Sequence, residues 1–195
     1  MHLALNNLTF LHREGFHNLR IHINVSPRQL VQNDFVTKLQ QILEVTGFSP
    51  GALDVEVTES VLIEDTRKAE SLFLELKQMG ISISLDDFGT GYSSLAYLKH
   101  FPVDRIKIDR SFIRDIPNDS GDCMLVEAML DIGKRLNRQI IAEGVEDPEQ
   151  ATWLIERGCC VMQGYYFSKP VAADVFMSIL KAGPLLCAYK SRAIQ

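Results

Sequence analysis

Two adjacent carboxylates, Asp86 and Asp87, stand in the run SLDDFGTGYSS at residues 84–94, between an alternating lead-in (Ile81, Ile83 and Leu85 against Ser82 and Ser84) and a loop holding Gly89 and Gly91. Like charges side by side are costly unless a cation or hydrogen-bond donors neutralise them, so the pair is a candidate metal site. It suits equally a solvated turn whose Asp caps the next helix. Asn24, Glu56 and Glu143 extend the pair to an all-oxygen donor set, which favours hard cations such as Mg²⁺ or Mn²⁺ over zinc or copper. With this many carboxylates the set fits two ions, with Asp86 placed to bridge them and Asp87 to hold one. Ions ~3.5–4 Å apart can stabilise both the attacking and the leaving oxygen of phosphodiester hydrolysis. Lys107 would neutralise the developing phosphorane charge or hold the attacking water. Its structural alternative is a buried lysine paired with Asp109 or another acid.

These residues need elements that aim them at one point, and the chain supplies a repeated unit. Leu5, Leu8 and Leu11 mark an opening helix that stops at Gly15. The strand LRIHINVS follows, with Leu19, Ile21, Ile23 and Val25 opposite His22, Asn24 and Ser26. A helix carrying Phe35, Leu39, Ile42 and Leu43 runs to Gly47. LDVEVTES repeats the plan, Leu53, Val55 and Val57 against Asp54, Glu56 and Thr58, before a helix over 66–79. The third strand is the stretch leading to Asp86. RIKIDRSF is the fourth, with Ile106 and Ile108 against Arg105, Lys107 and Asp109, and a helix over 122–136 follows. QIIAEGVE ends in Glu143 before a helix opened by Asp147 and Pro148. CCVMQGYYFSKP ends a sixth strand at Gln163, before a helix over 173–180.

Strands alternating with helices imply a parallel sheet with right-handed crossovers. A doubly wound sheet would need strands apolar on both faces. Here one face is apolar and the other brings Asn24, Glu56, Asp86, Lys107, Glu143 and Gln163 into register, the pattern of an α/β fold of the TIM-like β/α-barrel type with its site at the strands' carboxyl ends.

Composition narrows the function classes. The 195 residues, 46% hydrophobic and 23% charged, suit one globular domain over 1–183 with a tail at 184–195. A net charge of −5 excludes a generic surface for nucleic-acid polymers. The N-terminal apolar stretch is interrupted by Asn6 and Asn7 and lacks a basic leader, so neither a signal peptide nor a membrane span is expected. Cys123, Cys159, Cys160 and Cys187 form no C-x-x-C, which fits free thiols in a reducing cytoplasm. The D-F-G triplet lacks the glycine-rich strand pair, V-A-I-K and H-R-D of a protein kinase.

The ordered motifs INVSPRQL, VEVTES, LDDFGTGYSSL, PVDRIKIDRSF, IAEGVE and QGYYFSKP cover nearly the whole chain. They resemble the EAL-domain phosphodiesterases, bacterial enzymes that hydrolyse cyclic di-GMP to linear pGpG. The resemblance implies that Asn24, Glu56 and Asp86 serve one metal and Asp86, Asp87 and Glu143 a second, with Lys107 as catalytic lysine and Glu143 as a candidate general base. It implies that Glu59 anchors the loop after the aspartates and that Gln163 is an active-site glutamine. Tyr165, Phe167 and Pro170 match the segment lining the guanine end of the groove, where bases stack on aromatic faces. Ser26 and Asp109 complete the expected substrate-binding set. The Glu-Ala-Leu motif and its nearby arginine are not found, so a barrel incomplete at the N-terminus is expected, about two of eight strands short. A weakly active or inactive chain is expected, with its open edge covered by homodimerisation or strand exchange. The alternatives are a non-catalytic regulatory module that binds cyclic di-GMP or a protein, and another phosphodiester substrate on the same barrel.

Overall fold

The structure, a computed structural model, describes residues 1–30, 32, 34–59, 61, 66–91 and 95–183. The expected tail at 184–195 and residues 92–94 of the aspartate loop lie outside the described residues. Six strands, β1 (Ile21–Asn24), β2 (Leu53–Thr58), β3 (Ser82–Phe88), β4 (Arg105–Ile108), β5 (Gln139–Glu143) and β6 (Met162–Gln163), form one sheet in chain order. Every neighbouring pair is parallel. Among the described residues β1 and β6 are each paired along one edge only, so the curled sheet is an incomplete barrel.

The helices are α1 (His2–Arg13), α2 (Pro27–Leu30), α3 (Phe35–Thr46), α4 (Thr66–Gln78), α5 (Leu95–His100), α6 (Arg110–Ile113), α7 (Ser120–Arg135), α8 (Pro148–Glu156) and α9 (Ala173–Ala182). The longer ones fall where the apolar spacing places them. The short α2, α5 and α6 have too few turns to show a period. The helix expected from 122 begins two residues earlier, because Asp119 accepts hydrogen bonds from the backbone N–H of Gly121 (2.8 Å) and Asp122 (2.9 Å) and so caps it. Asp147 caps α8 in a reciprocal box with Gln150. None of the described helices is long and apolar enough to cross a membrane.

The period of two along each strand separates two environments. Leu53, Val55, Ile83, Leu85, Ile106 and Ile108 are essentially inaccessible and join Leu39, Phe73, Leu76, Phe101 and Val126 in one apolar cluster against the helices. Each such side chain contributes about 1.5–3 kcal/mol by leaving water. The opposite face is also buried, yet polar: Asp54, Glu56, Ser84 and Lys107 are each no more than 5% exposed. Charges held there must be matched from within the chain.

Candidate active site

The candidate residues lie toward the carboxyl ends of the strands but are staggered rather than in one register row, since Glu56 stands opposite Ser84 and Lys107 opposite Ile141. Asn24 pairs with Glu56, Thr58 with Asp86, and Glu143 with Gln163. Lys107 is the centre. Its Nζ lies 2.7 Å from Glu143 Oε1, 2.8 Å from Glu56 Oε2 and 3.0 Å from Asp86 Oδ1, so the three donors of one ammonium meet three carboxylates from three strands. The sequence left open a pairing of Lys107 with Asp109; Asp109 instead caps α6, accepting from Ser111 N–H at 2.9 Å and Ser111 Oγ–H at 2.5 Å.

The aspartate pair divides. Between Leu85 and Phe88 the β3–β4 register shifts, and Asp87 takes the left-handed backbone at φ +56°, unusual for a residue other than glycine. Asp86 therefore turns inward to Lys107, and its Oδ1 also accepts the Asp87 N–H at 3.1 Å. The Asp87 carbonyl accepts from Thr90 Oγ1–H at 2.8 Å and begins the loop. Gly89 follows at φ +97°, where a side chain would press on Phe112, 3.0 Å from the Cβ position, and on Met129. Glu59 is buried after β2, with Oε1 3.4 Å from where a Cβ of Gly91 would sit, so it stands against that loop.

Burial acts on these acids in different net directions. It opposes the charge of Glu56, but hydrogen bonds from His22 and Lys107 outweigh it and hold the carboxyl below its ordinary range. Burial raises Glu143, and the charges of Asp86 and Glu56 add to it despite Lys107. Burial also raises Asp87, with Asp86 and Asp109 adding to it. For Lys107, burial disfavours the ammonium, but the hydrogen bonds to Glu143 and Glu56 dominate and raise its pKa, so it stays charged.

Three carboxylates against one ammonium leave a formal charge of −2, and Asp87 makes it −3. The donors are all oxygen, so the residues fit hard divalent cations. Among the described residues no three Asp, Glu, His or Cys side chains stand together as a metal cluster. The acids are gathered on Lys107.

The other candidates lie further out. Asn24 is exposed at the end of β1 and Gln163 at the end of β6. Ser26 bonds to Gln29 Oε1 at 3.0 Å, an α2 contact rather than a site contact. Tyr165 is 57% exposed with Lys169 Nζ 5.7 Å from its ring centre, and Pro170 is exposed, whereas Phe167 packs on the core and edge-on to Tyr166. Gly164 must lack a side chain, since a Cβ there would enter the Val145 backbone.

A second polar layer lies beneath the first and was not singled out in the sequence. The Arg105 guanidinium bonds to Asp54 and, through Nε, to Gln139 Oε1 at 2.9 Å. His22 Nδ1 reaches Glu56 Oε1 at 3.0 Å. Each of His22, Asp54 and Arg105 precedes a candidate residue by two, which is the signal that was available.

The family model described as EAL domain matches residues 1–170. The cyclic di-GMP phosphodiesterase NbdA of Pseudomonas aeruginosa is 38% identical over 179 residues, 92% of this chain and 23% of that protein. Among solved structures, the PaMucR phosphodiesterase in complex with c-di-GMP is similar at a TM-score of 0.86 and 36% identity, over 90% of this chain and 71% of that one. BlrP1 of Klebsiella pneumoniae, with manganese and cyclic di-GMP, is similar at a TM-score of 0.79 and 29% identity, over 88% and 43%. The chain spans about a quarter of the length of the curated relatives it matches. With that match across most of its length, the chain belongs to the EAL domain family.

Proposed function

We propose that the chain acts on cyclic di-GMP as a metal-dependent phosphodiesterase, adding one water across a phosphodiester to give linear pGpG. The observation that carries this reading is Lys107 held among Glu56, Asp86 and Glu143 at the mouth of the sheet. Asn24, Glu56, Asp86, Asp87 and Glu143 would hold Mg²⁺ or Mn²⁺, two ions in a full site. When bound, such ions supply a nucleophile at neutral pH and offset charge on the phosphoryl oxygens. Lys107 stays protonated, so it is an electrostatic donor to water or to the phosphoryl group rather than a base. Glu143, made more basic by its surroundings, suits removal of a proton from the attacking water while one ester oxygen leaves phosphorus. Gln163 and Tyr165, exposed beside β6, would meet the guanine end, with Phe167 and Pro170 shaping its wall. Ser26 and Asp109 would bind at the groove's margin, and Glu59 would hold the loop carrying Gly91.

The unpaired edges of β1 and β6 support a homodimer or strand exchange. The described cysteines, all free, support a cytoplasmic setting. Chromatographic detection of pGpG with Mg²⁺, with Mn²⁺ and with a chelator tests the activity. Metal-dependent formation, weak at most because the barrel is incomplete, is expected, and none in Lys107→Ala. Metal-independent binding of cyclic di-GMP with no pGpG would make the chain a non-catalytic module instead.

A further inference from the structure

The Glu56 carboxylate is held at both oxygens. Oε2 shares the Lys107 ammonium with two other acids, whereas Oε1 has its own partner, His22 Nδ1 at 3.0 Å. A carboxylate engaged by Lys107 can only accept, so the hydrogen of this contact resides on Nδ1. His22 faces Asp54 directly in the β1–β2 register. Asp54 is wholly buried; its Oδ2 is taken by Arg105, itself tied to Gln139, while its Oδ1 has no hydrogen-bond partner among the described residues. That orphan oxygen lies 3.8 Å from His22 Nδ1. A buried acceptor without a donor is rare and calls for a reason. Here two carboxylate oxygens face one ring nitrogen, and a small rotation of the imidazole would carry the same N–H from Glu56 to Asp54.

We propose that His22 is a positioning residue: its Nδ1–H sets the orientation of the Glu56 carboxylate, with Asp54, fixed by Arg105, as the backing acceptor. The consequence for function rests on the reading of Glu56 as an oxygen donor to a divalent cation. Outer-shell partners of this kind are typically worth 10–100-fold in metal affinity.

Two measurements separate the parts. Long-range ¹H–¹⁵N correlation on the metal-free chain, assigned with His22→Ala, reports where the imidazole hydrogen lies. A hydrogen on Nδ1 is expected, and a ring carrying hydrogen on Nε2 alone overturns the proposal whatever the chain binds. Mn²⁺ titration followed by electron paramagnetic resonance is then run on the unaltered chain, His22→Ala and His22→Asn, whose amide N–H can replace Nδ1–H. About tenfold weaker Mn²⁺ binding is expected for His22→Ala, with most of it restored in His22→Asn at an unchanged unfolding midpoint. Affinity within twofold of the unaltered chain in His22→Ala overturns the proposal while leaving the cation reading intact. Absence of Mn²⁺ binding in the unaltered chain overturns the cation reading and the functional part of the proposal with it.

Discussion

Replacing Lys107 with methionine keeps an unbranched side chain one atom shorter and removes the charge on which the site converges. Lys107 is 4% exposed, so solvent screening takes little from its three ion pairs. Removing one partner of a buried ion pair costs about 3–5 kcal/mol, because the remaining charge stays buried. Here three carboxylates lose their cation, and the low end is the better guide because they can recover part of the loss by taking up protons or water. A destabilisation of about 3 kcal/mol at neutral pH corresponds to about 6–12 °C in midpoint for a chain of this size. The pH dependence follows from the shifts. Glu56 is held below its ordinary range, so its contribution is present above its unfolded pKa and lost as pH falls; Lys107→Met removes the part due to Lys107 and leaves the His22 hydrogen bond. Glu143 already lies above its ordinary range, so its ionisation costs stability as pH rises through its folded pKa, and loss of the ammonium raises that pKa further. Both effects enlarge the deficit with pH. Urea unfolding of both proteins in chelator at pH 5 and pH 8 should give the larger difference at pH 8, and added Mg²⁺ should narrow it. A deficit under about 1 kcal/mol at pH 8, or one larger at pH 5, would refute the electrostatic account.

Gly89→Ala places a Cβ against Phe112 and Met129 at a φ of +97° and should cost about 1–3 kcal/mol, read by thermal unfolding, together with loss of pGpG formation. Asp147→Ala removes the α8 cap and should cost about 1 kcal/mol with turnover unchanged, since the cap lies outside the strand-end cluster. Among the described thiols, Cys160 is exposed whereas burial pushes Cys159 up to about 11, so iodoacetamide at pH 8 followed by peptide mass spectrometry should mark Cys160 well before Cys159.

The strand ends were readable because a period of two is a strong constraint: once Val55 and Val57 face the helices, Glu56 must face the interior, and each neighbouring strand repeats the choice. Partner choice was not readable. Lys107 could pair with Asp109, two residues later, or with another acid of the interior, and the sequence did not choose between them. In the fold the peptide turns at Asp109, the side chain caps α6, and acids 51, 21 and 36 residues away take the ammonium. The bulge that parts Asp86 from Asp87 was equally hidden, since an Asp-Asp pair carries no local sign of a left-handed residue. His22, Asp54 and Arg105 showed as polar positions, but their linkage depends on strand spacing that sequence alone does not state.

The two polar layers differ in a way that separates scaffold from site. In the lower layer Arg105 meets Asp54 and Gln139, so one positive and one negative charge balance nearer the amino ends of the strands. In the upper layer one ammonium faces three carboxylates, and the excess of negative charge sits where the strands end and solvent enters. A buried network serving stability alone gains nothing from surplus anions, because each carries its own desolvation cost. Retaining that surplus at the mouth makes sense if a cation from solution completes it. The lower layer then has a task beyond neutralising itself, because His22 reaches up from it to hold the one acid, Glu56, whose two oxygens would otherwise turn freely toward Lys107.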